Sequence, residues 1–209
     1  MDTLVIDAAT EACSVALLRD DHVLAGDWRI LGRGHAEALV PMIAALPGKG
    51  RAARIAVALG PGSFTGVRVG LAAARALALA WGADLVGYPT LALIAAQARA
   101  EAGAQAVTVA TTGGHGEWFV QDFAPDGLPS GPLASRKPAE AAGAAAAELV
   151  AGTQAEALVA LRGHGRAMPL WSDARAFALL PPALVTPATD PLYGRAPDAR
   201  LPGGITPAG

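Results

Sequence analysis

The chain has 209 residues and a mass of 20.9 kDa, room for one large domain or two small ones. Hydrophobic residues make up 53% and charged residues 16%, which excludes a disordered chain, but roughly a quarter of the residues are alanine and only 5% aromatic, so a partner's surface would add useful burial. A net charge of −2 and a pI near 6.1 exclude the basic excess of a stand-alone nucleic-acid binder, and the single cysteine, Cys13, excludes an internal disulfide or a cysteine-clustered zinc site.

In chain order, the apolar runs Leu4–Ile6 and Cys13–Leu18, then His22–Ala25 after the Asp20-Asp21 turn, predict an antiparallel meander of three strands. No basic segment precedes the first run, and the longest apolar stretch, around Leu71 to Ala83, contains Arg75 and Gly82. The expectation is a cytoplasmic protein with no secretory signal and no membrane span. From His35 the period changes: Leu39, Met42, Ile43 and Leu46 share one helical face, with Pro41 inside predicting a kink or a weak point. Ile55–Leu59 and Asp84–Tyr88 read as strands, each followed by a helical pattern, the second over Leu91–Ala102. Strands alternating with helices in this way predict a mixed α/β domain with a partly parallel sheet. Ala106–Ala110 and Trp118–Phe123 then repeat the strand–turn–strand opening, which suggests a structural duplication. Residues 138–160 are predicted helical, and the Pro- and Gly-rich end is expected to be irregular.

The segment Gly60-Pro-Gly-Ser-Phe-Thr-Gly-Val-Arg-Val-Gly70 lies between a strand and a helix. Such a turn aims backbone N–H groups outward at the positive end of the helix dipole, where an anion can bind; equally, it is a tight turn with Ser63 or Thr65 as N-cap. It has neither the Lys-Ser/Thr ending of a P-loop nor the spacing of a dinucleotide fingerprint. In the helix that follows, Val67, Leu71, Ala74, Ala78 and Trp81 form one apolar stripe. Arg68, Ala72, Ala76 and Leu79, with Arg75 nearby, form a second face of mostly small residues. A helix apolar on both faces is expected to be buried on both, the second by core or by another chain. Ser63 lacks a Gly-x-Ser-x-Gly context and no base can be assigned to it or to Cys13, so protease chemistry is excluded.

The opening Leu4-Val-Ile-Asp-Ala-Ala-Thr-Glu-Ala-Cys-Ser-Val-Ala-Leu17, the His35-Ala-Glu-Ala-Leu-Val-Pro41 helix, the Gly60–Gly70 segment and Asp190-Pro-Leu-Tyr-Gly-Arg195 together resemble the TsaB (YeaZ) family. The resemblance implies an actin-like ATPase (ASKHA, ribonuclease H-like) α/β fold of two related lobes. These are expected at 1–103 and 104–200, with a tail at 201–209. It implies a non-catalytic subunit in the synthesis of N6-threonylcarbamoyladenosine at position 37 of tRNA. Such a subunit pairs with the catalytic TsaD through helices, enables binding of the ATPase TsaE, self-associates through the same helices when alone, and meets tRNA only within the complex. The residues expected at that interface are His35, Leu39, Arg68, Ala72, Arg75, Ala76 and Leu79.

The catalytic paralogue of that family holds metal with two histidines one helical turn apart; here His35 is followed four residues on by Leu39, so no metal site is expected. The family's second-lobe turn usually carries an acid and an Arg. Thr111-Thr-Gly-Gly-His-Gly-Glu-Trp118 retains only the Gly-Glu pair, which weakens the case for ordinary Mg–ATP handling. No cofactor of its own is expected, with a nucleotide at the subunit seam left open; Asp7, Thr10, Gly62 and Ser63 are the weak candidates for binding one. The rival reading is an autonomous phosphotransferase of the same fold, using Asp7, Thr10 and the glycine loop on ATP.

Overall fold

The computed structural model describes residues 1–194; Arg195 and the expected tail at 201–209 lie outside them. Ten strands form two five-stranded sheets. The first contains β1 (Asp2–Asp7), β2 (Ala12–Arg19), β3 (His22–Ile30), β4 (Arg54–Ala58) and β5 (Asp84–Tyr88), in the order β3-β2-β1-β4-β5. The second contains β6 (Val107–Thr112), β7 (Trp118–Phe123), β8 (Ala134–Arg136), β9 (Leu149–Ala151) and β10 (Arg166–Met168), in the order β10-β9-β6-β7-β8. Read from the meander, the orders are the same. In each sheet three antiparallel strands are followed by two parallel ones, since β1 pairs β4, β4 pairs β5, β6 pairs β9 and β9 pairs β10 in parallel. The duplication suggested by the two strand–turn–strand openings is therefore a duplication of the whole sheet, and the fold is the two-lobed actin-like one.

Five helices follow the same plan. Helix α1 (His35–Ala45) and α2 (Phe64–Trp81) cover the outer face of the first sheet, and α4 (Pro138–Ala144) and α5 (Ala155–Arg162) that of the second. The remaining helix of each lobe crosses over. Helix α3 (Thr90–Ala102) follows β5 but packs on β6 and β9, while the 3₁₀ helix Ala174–Leu179 follows β10 but packs on β1, β2 and β3. The two also touch each other, so α3 contributes a nearly all-round buried middle layer, from Leu91 to Ala98, to one continuous core.

Leu39, Met42, Ile43 and Leu46 are all buried, as their spacing predicts. Pro41 does not break α1, because the Glu37 carbonyl it leaves unpaired belongs to an exposed residue where water can serve. The helical expectation for 138–160 is overturned in the middle: α4 ends at Ala144, and Leu149–Ala151 form β9, the strand beside β6. Alanine spacing carries little period, and a three-residue strand is too short to announce itself. Residues after β10 also differ from the simple two-part division. They leave the second lobe and run as a strap over the first: Trp28 Nε1 donates to the Ser172 carbonyl at 3.2 Å, the Ala174 N–H donates to Ser14 Oγ at 2.9 Å, and Thr186 bridges Gly87 beside β5. Among the described helices α2 alone is long and apolar enough to cross a membrane; its Gly66, Val67, Gly70, Leu71, Ala74 and Ala78 are packed into this fold.

Candidate functional site

The glycine loop is pressed against the β1–β2 turn. The Ser63 N–H donates to the Ala9 carbonyl at 2.7 Å, and Ser63 caps α2, its Oγ accepting from the Gly66 N–H at 3.2 Å. A side chain would not fit at two of the glycines, since a Cβ on Gly62 or Gly66 would lie 2.0 Å from the carbonyl oxygen of Ala9 or Ala8. The second lobe repeats the device: the Gln154 N–H donates to the Ala110 carbonyl at 3.1 Å, and a Cβ on Gly152 would lie 2.3 Å from that oxygen. Between the two lobes' turns lies a cavity of about 810 Å³, bounded by Thr10, Ser63, Arg68, Thr111, Gly114 and Tyr193 among others.

Of the four weak nucleotide-binding candidates, Thr10, Gly62 and Ser63 line this cavity and Asp7 does not. Asp7 is fully buried behind the turn, accepting from the Ala9 N–H at 3.0 Å and the Tyr88 hydroxyl at 3.2 Å. Burial pushes its carboxyl up to about 6, and hydrogen bonding, the Ala9 N–H foremost, only partly opposes the shift. Thr10 Oγ1 accepts from the Ala12 N–H at 3.2 Å, so part of its capacity closes the turn. Among the described residues no three His, Cys, Asp or Glu side chains are grouped to hold a metal.

Cys13 is buried in β2, and burial raises its thiol to about 11. Iodoacetamide at pH 8 is therefore expected to leave the folded protein unmodified and to alkylate it only after denaturation; mass spectrometry of native and urea-treated samples checks this.

The predicted interface residues separate into three groups. Ala72, Ala76 and Leu79 stand exposed on one side of α2, Leu79 at 87%, with Phe64 at 59% extending the row. The second face of α2, expected to be buried, is thus open in the single chain. Its neighbour α1 adds Ala36, Val40 and Ala44, with Val40 60% exposed. Leu39 and His35 do not belong to this surface. Leu39 is core, because the spacing that marked it as apolar is the spacing of the inward stripe. His35 is buried and its Nε2 donates to the Thr10 carbonyl at 3.0 Å, tying α1 to the β1–β2 turn. Arg68 and Arg75 lie on the open face of α2 but are engaged by the strap: Arg68 Nη2 donates to Tyr193 Oη at 3.0 Å, and Arg75 Nη2 to the Thr189 carbonyl at 2.7 Å. Sequence reasoning missed these partners, which lie 125 and 114 residues away; the Asp190–Arg195 segment was the one trace of them.

Residues 29–127 match a family model described as TsaD: tRNA N6-adenosine threonylcarbamoyltransferase. The tRNA threonylcarbamoyladenosine biosynthesis protein TsaB of Escherichia coli is 37% identical over 131 residues, which cover 60% of this chain and 56% of that protein. The match thus spans little more than half of the curated relative's length. Among solved structures, YeaZ from Pseudomonas aeruginosa superposes with a TM-score of 0.75 at 26% identity, covering 92% of this chain and 99% of that one. The ethanolamine utilization protein EutJ from Carboxydothermus hydrogenoformans shares the fold alone, with a TM-score of 0.51 at 13% identity over 87% of this chain and 90% of that one. By sequence and by fold, the chain is similar to the TsaB (YeaZ) proteins.

Proposed function

We propose that this chain is a non-catalytic docking subunit for the synthesis of threonylcarbamoyladenosine in tRNA, pairing through α1 and α2 with a TsaD-type transferase. The open α2 face carries the reading. A stable surface helix turns polar residues to water, whereas α2 turns Phe64, Ala72, Ala76 and Leu79 outward, next to Val40 of α1. Small residues let a second helix approach closely, and large apolar ones at the ends of the row supply area. The match of residues 29–127 to the transferase family suggests a partner of related build, able to offer a corresponding helix pair across a two-fold axis. The same face would serve self-association when the partner is absent. Docking of a TsaE-type ATPase on the pair, contact with tRNA only within the complex, residence in the cytoplasm and the lack of a cofactor of its own complete the proposal. The net charge of −2 agrees with a subunit that does not hold RNA by itself.

The test is reconstitution of the tRNA modification from the transferase, the ATPase, the threonylcarbamoyl-adenylate synthase, ATP, bicarbonate, threonine and tRNA, with and without this chain. Modification is expected only when the chain is added. Ala76→Trp, on the open face, is expected to weaken pairing with the transferase at least 100-fold while leaving the melting temperature unchanged, as followed by size-exclusion chromatography and calorimetry. The interlobe cavity, next to the α2 N-terminus, favours a second reading as an autonomous phosphotransferase. Equal modification in both tubes, with Mg–ATP turnover by the isolated chain, would establish it instead.

A further inference from the structure

The strap ends on the face that the previous reading assigns to the partner. After Thr186 bridges Gly87, the Thr189 carbonyl accepts from Arg75, the Leu192 N–H donates to the Leu59 carbonyl at 2.8 Å, and Tyr193 Oη accepts from Arg68. Arg68 and Arg75 are seven residues apart, two helical turns, so they reach from the same side of α2 and clamp the strap at two points. The Arg68 guanidinium lies 3.2 Å from the centre of the Phe64 ring and 5.7 Å from that of Tyr193, and the two rings are 5.9 Å apart. The backbone fits closely as well. A Cβ on Gly60 would lie 2.9 Å from the Leu192 carbonyl oxygen, and one on Gly194 would lie 2.5 Å from the Phe119 ring.

Held this firmly, the cluster is nevertheless open to water, with Tyr193 50% and Phe64 59% exposed. An aromatic pair around an arginine, fixed before binding and lying beside the apolar row of Ala72, Ala76 and Leu79, has the composition and the pre-organisation of an interface hot spot. Arg68 and Arg75 each give one hydrogen bond to the strap, which fixes both side chains before a partner arrives.

We propose that the end of the strap, with Tyr193 as its anchor, is a second, non-helical part of the docking surface, facing an apolar stretch of the transferase-type partner. This rests on the docking reading of α2. The direct test uses the full chain with Tyr193→p-benzoylphenylalanine, mixed with the transferase and irradiated; a covalent adduct to the transferase is the expected result. Tyr193→Ala is expected to weaken pairing at least tenfold, and Tyr193→Phe, which keeps the ring contacts and loses only the Arg68 bond, less than threefold. No adduct to the transferase overturns the proposal. If Ala76→Trp still blocks pairing in that case, only the strap's role has failed; if Ala76→Trp pairs like wild type, the α2 docking face has failed with it.

Discussion

Gly66→Ala is expected to lower the unfolding free energy by more than about 3 kcal/mol, and Gly70→Ala, one turn further along the same helix, to raise it by up to about 1 kcal/mol. Propensity treats the two alike, since alanine is the better helix former by about 1 kcal/mol in both places. Their surroundings differ. A Cβ on Gly66 would lie 2.0 Å from the Ala8 carbonyl oxygen, a backbone atom that cannot rotate aside. At Gly70 it would meet only the Cβ of Ala8 and methyls of Val57 and Ile6, at 3.7 to 3.8 Å, an ordinary contact. To admit Gly66→Ala, α2 must lift off the β1–β2 turn, breaking the Ser63 bond to Ala9 and opening the packing of Val67 and Leu71. Urea unfolding of both variants beside wild type checks the pair. For a chain of this length the loss at Gly66 corresponds to a fall in melting temperature of about 10 °C. Equal and small effects at both positions would show that the close approach is not tight in solution.

Asp7→Asn is expected to stabilise the protein at pH 7.5 by as much as about 3 kcal/mol and to have little effect at pH 4. The unfolded carboxyl ionises near 3.8 and the folded one near 6 because water is excluded from it. Between those values the folded state binds more protons than the unfolded state, so stability falls as pH rises through the window and levels off above it. Asparagine never ionises and removes the loss. It also fits the hydrogen bonds of the neutral acid: Oδ1 can accept from the Ala9 N–H, and Nδ2 can donate to Tyr88 Oη while the Tyr88 hydroxyl donates to the Ile6 carbonyl. Denaturant titrations of both proteins between pH 4 and 8 should show curves that converge at the acid end. Parallel curves would mean that Asp7 is solvated in solution and titrates normally.

The sequence is most informative where structure is local. The opening meander and the inward stripes of α1 and α2 each depend on neighbours within a few residues, so spacing alone identifies them, while for the α2 cap it leaves Ser63 and Thr65 and the structure takes Ser63. It misleads at Leu39, where apolar periodicity marks a residue without saying whether its burial is inside the chain or against another. It misleads again over 138–160, where alanine suits a helix and β9 is fixed only by pairing with β6 and β10. Arg68 and Arg75 read only as residues of the second face of α2, because the atoms that engage them arrive from beyond residue 188. Asp7, placed by analogy on the cleft, is turned away from it by Tyr88, a residue that no spacing rule connects to β1.

The crossed-over helices impose a limit on any attempt to divide the molecule. A fragment ending near residue 103 would carry α3, which is the cover for the other sheet, and would lack Ala174–Leu179, which roofs its own. Ser14, Asp7 and Tyr88 would then lie bare on an unroofed sheet, and Leu91 to Ala98 would lose the second sheet and the 3₁₀ helix that cover them. The two halves repeat one strand order, yet the boundary between them is not a seam along which they come apart.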